Sequence, residues 1–220
     1  MSGTLNASNF SKVFDDNFAN DSSLNTNLWP VRWGNADDFK FANGALTITS
    51  YQSENWTNAG FIQADSSATN GEGYGLYSFT ASANAGEGIG IALVLWPSTN
   101  VWPGPELDLL ESSDSTRKSG YATVHWKGAD GSNQYQSHSF SLDLTQKHTY
   151  SYDWEPGVLT YYIDGQQIFS TTSHVPADAA VGEVHGDVRC GREDLLAIDV
   201  VGEHPRLPVV RIGVLLGQVE

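Results

Sequence analysis

Three acids fall within six residues at Glu106-Leu107-Asp108-Leu109-Leu110-Glu111. In a regular strand side chains alternate, so Glu106 and Asp108 share a face while Glu111 points away with Leu107 and Leu109. One extra residue, a β-bulge around Leu109-Leu110, resets that alternation. Glu111 then rejoins the other two acids, and the leucines fill the core side. Two carboxylates about 5 Å apart serve as nucleophile and general acid/base in retaining glycoside hydrolysis. Crowding raises the pKa of one group, which stays protonated near neutral pH while another is ionised. Four strand steps at ~3.3 Å put the outer Cα atoms roughly 13 Å apart, so both glutamates must lean inward over Asp108. The competing assignment is an exposed acidic strand edge, the commoner origin of such a triplet. The flanks Trp96-Pro97, Trp102-Pro103 and His125-Trp126 favour the chemical reading.

The elements that must hold this row read as strands. Tyr150, Tyr152 and Trp154 alternate with Thr149, Ser151 and Asp153, and Phe140, Leu142 and Leu144 alternate with Ser141 and Asp143. Ala45–Tyr51 puts Leu46 and Ile48 on one face and Thr47 and Thr49 on the other. Ile89–Trp96 is apolar on both faces, the pattern of a central strand. Asp164-Gly165 between Val158–Asp164 and Gln166–Thr171 predicts a hairpin, and Asn43-Gly44 predicts another turn. Before the C-terminal segment, no ten-residue stretch carries an apolar helical stripe. Many short strands with regular turns predict an all-β sandwich.

Composition narrows the partners. The 220 residues suit about one domain. Acids outnumber Lys and Arg 26 to 11, giving a formal charge of −15, which disfavours nucleic acid and anionic membrane surfaces. No apolar run of about 18 residues is present to span a membrane. The single cysteine, Cys190, excludes an internal disulfide and a multi-cysteine metal site. Met1–Phe18 shows no basic start followed by an apolar run, so no secretory signal is read there. The many Ser, Thr, Asn and Gly residues and the few lysines nevertheless suit an extracellular or secreted protein.

The composition breaks near the C-terminus. The 23 Ser, 15 Thr and 14 Asn all lie at or before Ser173, and the last aromatic residue is Phe169. Four arginines, Arg189, Arg192, Arg206 and Arg211, and Cys190 follow. The bland account is a variable C-terminal element of the same fold. The preferred one is a segment of different coding history, such as a shifted reading frame.

The chain from about Phe14 to Asp178 resembles glycoside hydrolase family 16, the laminarinase-like β-glucanases with a bulged Glu-x-Asp-x-x-Glu strand. The resemblance is carried by Tyr74-Gly75-Leu76-Tyr77, Ala92–Pro97, Glu106–Glu111, Val124-His125-Trp126, Tyr152-Asp153-Trp154 and Tyr161–Gly165. It extends in particular to bacterial members that depolymerise β-1,3/1,4-linked exopolysaccharide. It implies a concanavalin A-like jelly-roll sandwich of two curved antiparallel sheets with a sugar cleft on the concave face. It also implies Glu106 as nucleophile, Glu111 as acid/base, and Asp108 as the group that tunes the pair. The expected division is a catalytic sandwich over 1–178 and an atypical tail over 179–220. Within the tail, Leu195–Val201 and Val209–Leu216 read as strands, and Ala197–Val200 resembles a closing strand of the family.

The resemblance places His125, on a strand face shared with Tyr121 and Thr123, beside the carboxylates. Trp96 and Trp102 flank the acid strand, where sugar rings stack on aromatic faces; the alternative for each is core packing, and for Trp126 and Trp154 packing is preferred. Trp33 and Trp56 lie in polar surroundings and are read as cleft rim, with simple packing as the alternative. His138, His148, His174, His185 and His204 show no metal-ligand spacing, so no metal site is expected. Some relatives hold a structural Ca²⁺, but no acidic loop here specifies one, so no cofactor is expected. A polysaccharide substrate and a monomer are expected. The alternatives are a family-16 enzyme acting on agar or carrageenan, and a non-catalytic, lectin-like carbohydrate-binding sandwich.

Overall fold

In a computed structural model, the described residues are 3–10, 12–26, 29, 31–33, 36–50, 61–63, 74–86, 90–97, 101–177, 181–188 and 194–203. Of these, residues 12–15, 31–33, 50, 61–63, 96–97, 181–188 and 194–203 are described by their backbone alone. The chain forms β1 (Lys12–Asp16), β2 (Val31–Trp33), β3 (Phe39–Ala42), β4 (Ala45–Ser50), β5 (Phe61–Gln63), β6 (Gly75–Ala83), β7 (Ile91–Pro97) and β8 (Glu106–Ser112). It continues with β9 (Ser119–Lys127), β10 (Asn133–Ser141), β11 (His148–Glu155), β12 (Val158–Ile163), β13 (Gln166–Thr171), β14 (Val181–Val188) and β15 (Asp194–Glu203).

These strands make two antiparallel sheets. One runs β13-β12-β11-β6-β15-β4-β3, with β1 also paired to β15; the other runs β10-β9-β8-β7-β14-β5-β2. This is the two-sheet sandwich expected from the alternation. The core lies between the inner faces, where Leu46, Ile48, Tyr77, Phe79, Leu93, Leu95, Val124, Tyr150, Tyr152 and Trp154 are buried. Each large apolar side chain withdrawn from water contributes about 1.5–3 kcal/mol, which sets strand register as well as stability.

The turn chemistry reads through. Asp164 and Gly165 both take positive φ, 50° and 74°, the backbone of a primed hairpin turn joining β12 to β13. Asn43 and Gly44 do the same between β3 and β4, at 54° and 69°. One strand expectation is corrected. The Phe140–Leu144 alternation stops at Ser141, because Asp143 Oδ1 accepts from the Thr145 amide and hydroxyl and turns the chain. Leu144 is still buried, carried there by its amide donating to the Arg117 carbonyl.

The C-terminal segment enters both layers. β14 lies between β7 and β5, and β15 lies between β6 and β4. The strand read at Leu195–Val201 falls within β15, whereas Val209–Leu216 lies outside the described residues. Without these two strands, β6 and β7 would each present a long unpaired edge.

Candidate active site

β8 carries the acids and departs from regular pairing where the sequence predicts. Against β7, Leu110 pairs with Leu93 and Asp108 with Val94, so Leu109 is the extra residue. Against β9, the register shifts between Asp108, opposite Thr123, and Glu111, opposite Tyr121. The leucines explain the irregularity. Leu107, Leu109 and Leu110 are all buried in the core, so two consecutive apolar side chains are drawn to the same side. Glu111 is thereby returned to the side of Glu106 and Asp108, and Asp108 lies within hydrogen-bond reach of both glutamates.

The neighbouring strands complete the patch. The β9–β10 hairpin pairs Lys127 with Asn133, and a tight turn fixes it: the Gly128 amide donates to the Ser132 carbonyl at 2.8 Å. That register sets Tyr135 opposite His125 and Ser137 opposite Thr123. Glu106, His125 and Tyr135 therefore form one cross-strand row, and Asp108, Thr123 and Ser137 the next. Nε2 of His125 stands 3.0 Å from Oδ2 of Asp108, and its Nδ1 stands 3.1 Å from Oδ1 of Asn133. Thr123 donates to Oε2 of Glu111 at 3.4 Å, and its hydroxyl lies 2.7 Å from that of Ser137. Beneath the row, the buried phenol of Tyr161 crosses the core and donates to the Thr123 carbonyl at 3.0 Å. That bond falls where the β8–β9 register shifts, so the opposite sheet props the bulge.

Electrostatics follow from burial. Asp108 is 1% exposed and Glu106 is buried. Desolvation, then the neighbouring Asp108 charge, pushes Glu106 well above the usual carboxylate range. Desolvation and the Glu111 charge do the same to Asp108. Glu111 is raised by burial, with His125, Asp108 and Thr123 pulling the other way. Three carboxyls in one dry patch do not all ionise together, so the cluster keeps protons into a range where an isolated carboxylate has lost them. One ligand atom each from Glu106, Asp108 and His125 also lie within 4.8 Å of one another, close enough for a cation to bridge.

The aromatic expectations divide. Trp102 is exposed beside His125, with ring centroids 5.4 Å apart. Trp154 is buried in the core, and Trp126 packs at its margin with its ring stacked on His174 at 3.7 Å. The backbone of Trp96 lies in β7 and that of Trp33 in β2, but their side chains, and all of Trp56, lie outside the described residues. Nothing in the sequence assigns a role to Asn133, Tyr135 or Ser137, and Tyr161 enters only within a motif of the family resemblance. Asn133–Ser141 is almost wholly polar, and only the hairpin register relates it to the acids.

The fold and the sequence have counterparts. The description of Glycosyl hydrolases family 16 matches residues 26–181. A beta-glucanase of Acetivibrio thermocellus is 30% identical over 108 residues, covering 47% of this chain and 31% of the relative. A beta-glucanase of Paenibacillus polymyxa is 26% identical over 160 residues, covering 71% of this chain and 64% of the relative. The matched stretch therefore spans less than two thirds of either relative. The structure of LamAcat from Zobellia galactanivorans superposes with a TM-score of 0.72 at 16% identity, covering 90% of this chain and all of the other, and shares the fold. The family match runs from before β2 to the start of β14 and takes in the whole acid strand, and on it the chain belongs to glycosyl hydrolase family 16.

Proposed function

We propose that the protein is a retaining endo-hydrolase of β-1,3 or β-1,4 glucosidic bonds in a β-glucan or bacterial exopolysaccharide. The observation that carries this reading is the Leu109 bulge, which gathers Glu106, Asp108 and Glu111 on one face of a family-16 sandwich. Protonated Glu111 donates its proton to the leaving glycosidic oxygen while the Glu106 carboxylate attacks the anomeric carbon. The C–O bond to the leaving sugar breaks as the bond to Glu106 forms. Glu111, now ionised, takes a proton from water, and the hydroxide so generated displaces Glu106 with net retention. Desolvation and Asp108 favour a proton on Glu106, whereas bond cleavage needs it on Glu111. Asp108, in reach of both, is the conduit between them, and His125 favours the ionised glutamates.

Trp102 and His125 form one wall for the sugar chain, and the sequence surroundings of Trp96, Trp33 and Trp56 support them as further contacts. The chemistry needs no metal, because protons and one carboxylate suffice, and a chelator should leave the rate unchanged. The lysine-poor, hydroxyl-rich composition supports action outside the cell. The altered composition of 179–220 supports a distinct coding history for that segment and an impaired enzyme, although β14 and β15 pair within the sheets; resequencing the coding region tests it. Incubation with laminarin and with barley β-glucan, read as new reducing ends, tests the function. Wild-type release that disappears in Glu106→Gln supports it. Sugar binding without release would instead favour the lectin-like alternative.

A further inference from the structure

Among the described residues, the exposed large apolar side chains are Val101, Trp102 and Tyr135, 58%, 43% and 63% exposed. Scattered single exposed rings need no explanation, but these gather at one wall of the acid cluster. Trp102 and Tyr135 both lie against His125, their centroids 5.4 and 5.7 Å from its ring. Tyr135 continues the row Glu106–His125 onto β10, the outermost strand of that sheet. Two strand spacings, about 10 Å, separate it from the acid strand. A glycan laid across the strands over the acids runs on toward this ring. A tyrosine offers a flat apolar face and a phenolic hydroxyl while fixing only two side-chain torsions on binding.

We propose that Tyr135 is the floor of a further sugar-binding subsite on the β10 side of the acids, stacking under a β-linked pyranose of the substrate chain. This rests on the reading of the protein as a β-glucan hydrolase. Tyr135 would hold sugar without touching the bond that breaks, so its contribution depends on chain length.

The test is calorimetric binding of β-glucan oligosaccharides of increasing length to Glu106→Gln, alone and combined with Tyr135→Ala or Tyr135→Trp. Above a threshold length, Tyr135→Ala should weaken binding about five- to tenfold, the worth of one aromatic stacking contact, while shorter oligosaccharides bind equally and Tyr135→Trp restores the loss. Equal affinities at every length, an equal loss at every length, or no binding by either protein would overturn the subsite. Failure of the hydrolase reading shows separately, as wild-type protein that binds the oligosaccharides and releases no reducing ends.

Discussion

Oδ2 of Asp108 lies 3.0 Å from Nε2 of His125 on the adjacent strand, and Asp108 is almost wholly closed to solvent. The imidazole is the basic group that favours the ionised forms of Glu106 and Glu111. Removing it lets both carboxyls hold their protons to higher pH. In His125→Ala the acid limb of the kcat/KM profile should therefore move upward, and the rate at its own optimum should fall roughly 10²-fold. A pH–rate profile checks this; an unmoved limb would show that His125 acts on sugar alone.

Asp108 has the opposite sign for stability. A buried carboxyl with a raised pKa binds a proton in the folded state that the unfolded chain has already released, so its contribution is fully present below its unfolded pKa. That contribution is lost as pH rises toward its folded pKa. Asp108→Asn removes the penalty. Its melting temperature should exceed that of wild type by roughly 3 °C at pH 7, and the gap should close toward pH 4. The same change removes the like charge beside Glu106, lowering the acid limb of activity while cutting the rate about 10²-fold. Calorimetric melts at several pH values read the first effect, and initial rates read the second.

Tyr161 reaches across the core to the Thr123 carbonyl at the register shift. Tyr161→Phe leaves that carbonyl with a lost partner in a buried setting. The expected cost is about 1 kcal/mol, or ~2–4 °C in melting temperature. If the bond also holds the bulge in place, kcat should fall more than KM changes, and thermal melts with steady-state kinetics separate the two effects.

β14 and β15 sit inside the sheets rather than at their ends. A chain ending at residue 178 exposes the edges of β4, β5, β6 and β7 together. It should lose its cooperative melt and accumulate as aggregate. Soluble yield and size-exclusion profile check this directly; a soluble, cooperatively melting product would mean that the first 178 residues close their sheets unaided.

Much of this was legible in the sequence because period-two alternation and turn residues are local signals. Tyr150, Tyr152 and Trp154 read as one buried face, and they are one; Asp164-Gly165 and Asn43-Gly44 read as turns, and they take the required positive φ. The bulge was legible for a related reason: two adjacent leucines that both need burial leave an even alternation no room, and Glu111 follows. Phe140–Leu144 misled because Asp143 and Thr145 form a side-chain turn that competes with the strand. The parts played by Tyr135, Asn133 and Tyr161 were invisible for a different reason, although Tyr161 stands in a motif of the resemblance. Their roles come from hairpin register and from packing across the sandwich, and neither leaves a trace in local hydropathy.

The pairing of Glu106 with Glu111 is tested most directly by rescue with azide. Each residue is changed to alanine, and the configuration of the glycosyl azide formed from an activated β-glucan oligosaccharide is read by NMR. In Glu106→Ala, azide fills the vacated nucleophile position and attacks the anomeric carbon once, giving the α-azide. In Glu111→Ala, the Glu106 glycosyl-enzyme still forms and azide displaces it, giving the β-azide. Reversed configurations, or a Glu111→Ala variant that keeps wild-type activity without azide, would contradict the assignment of the two residues.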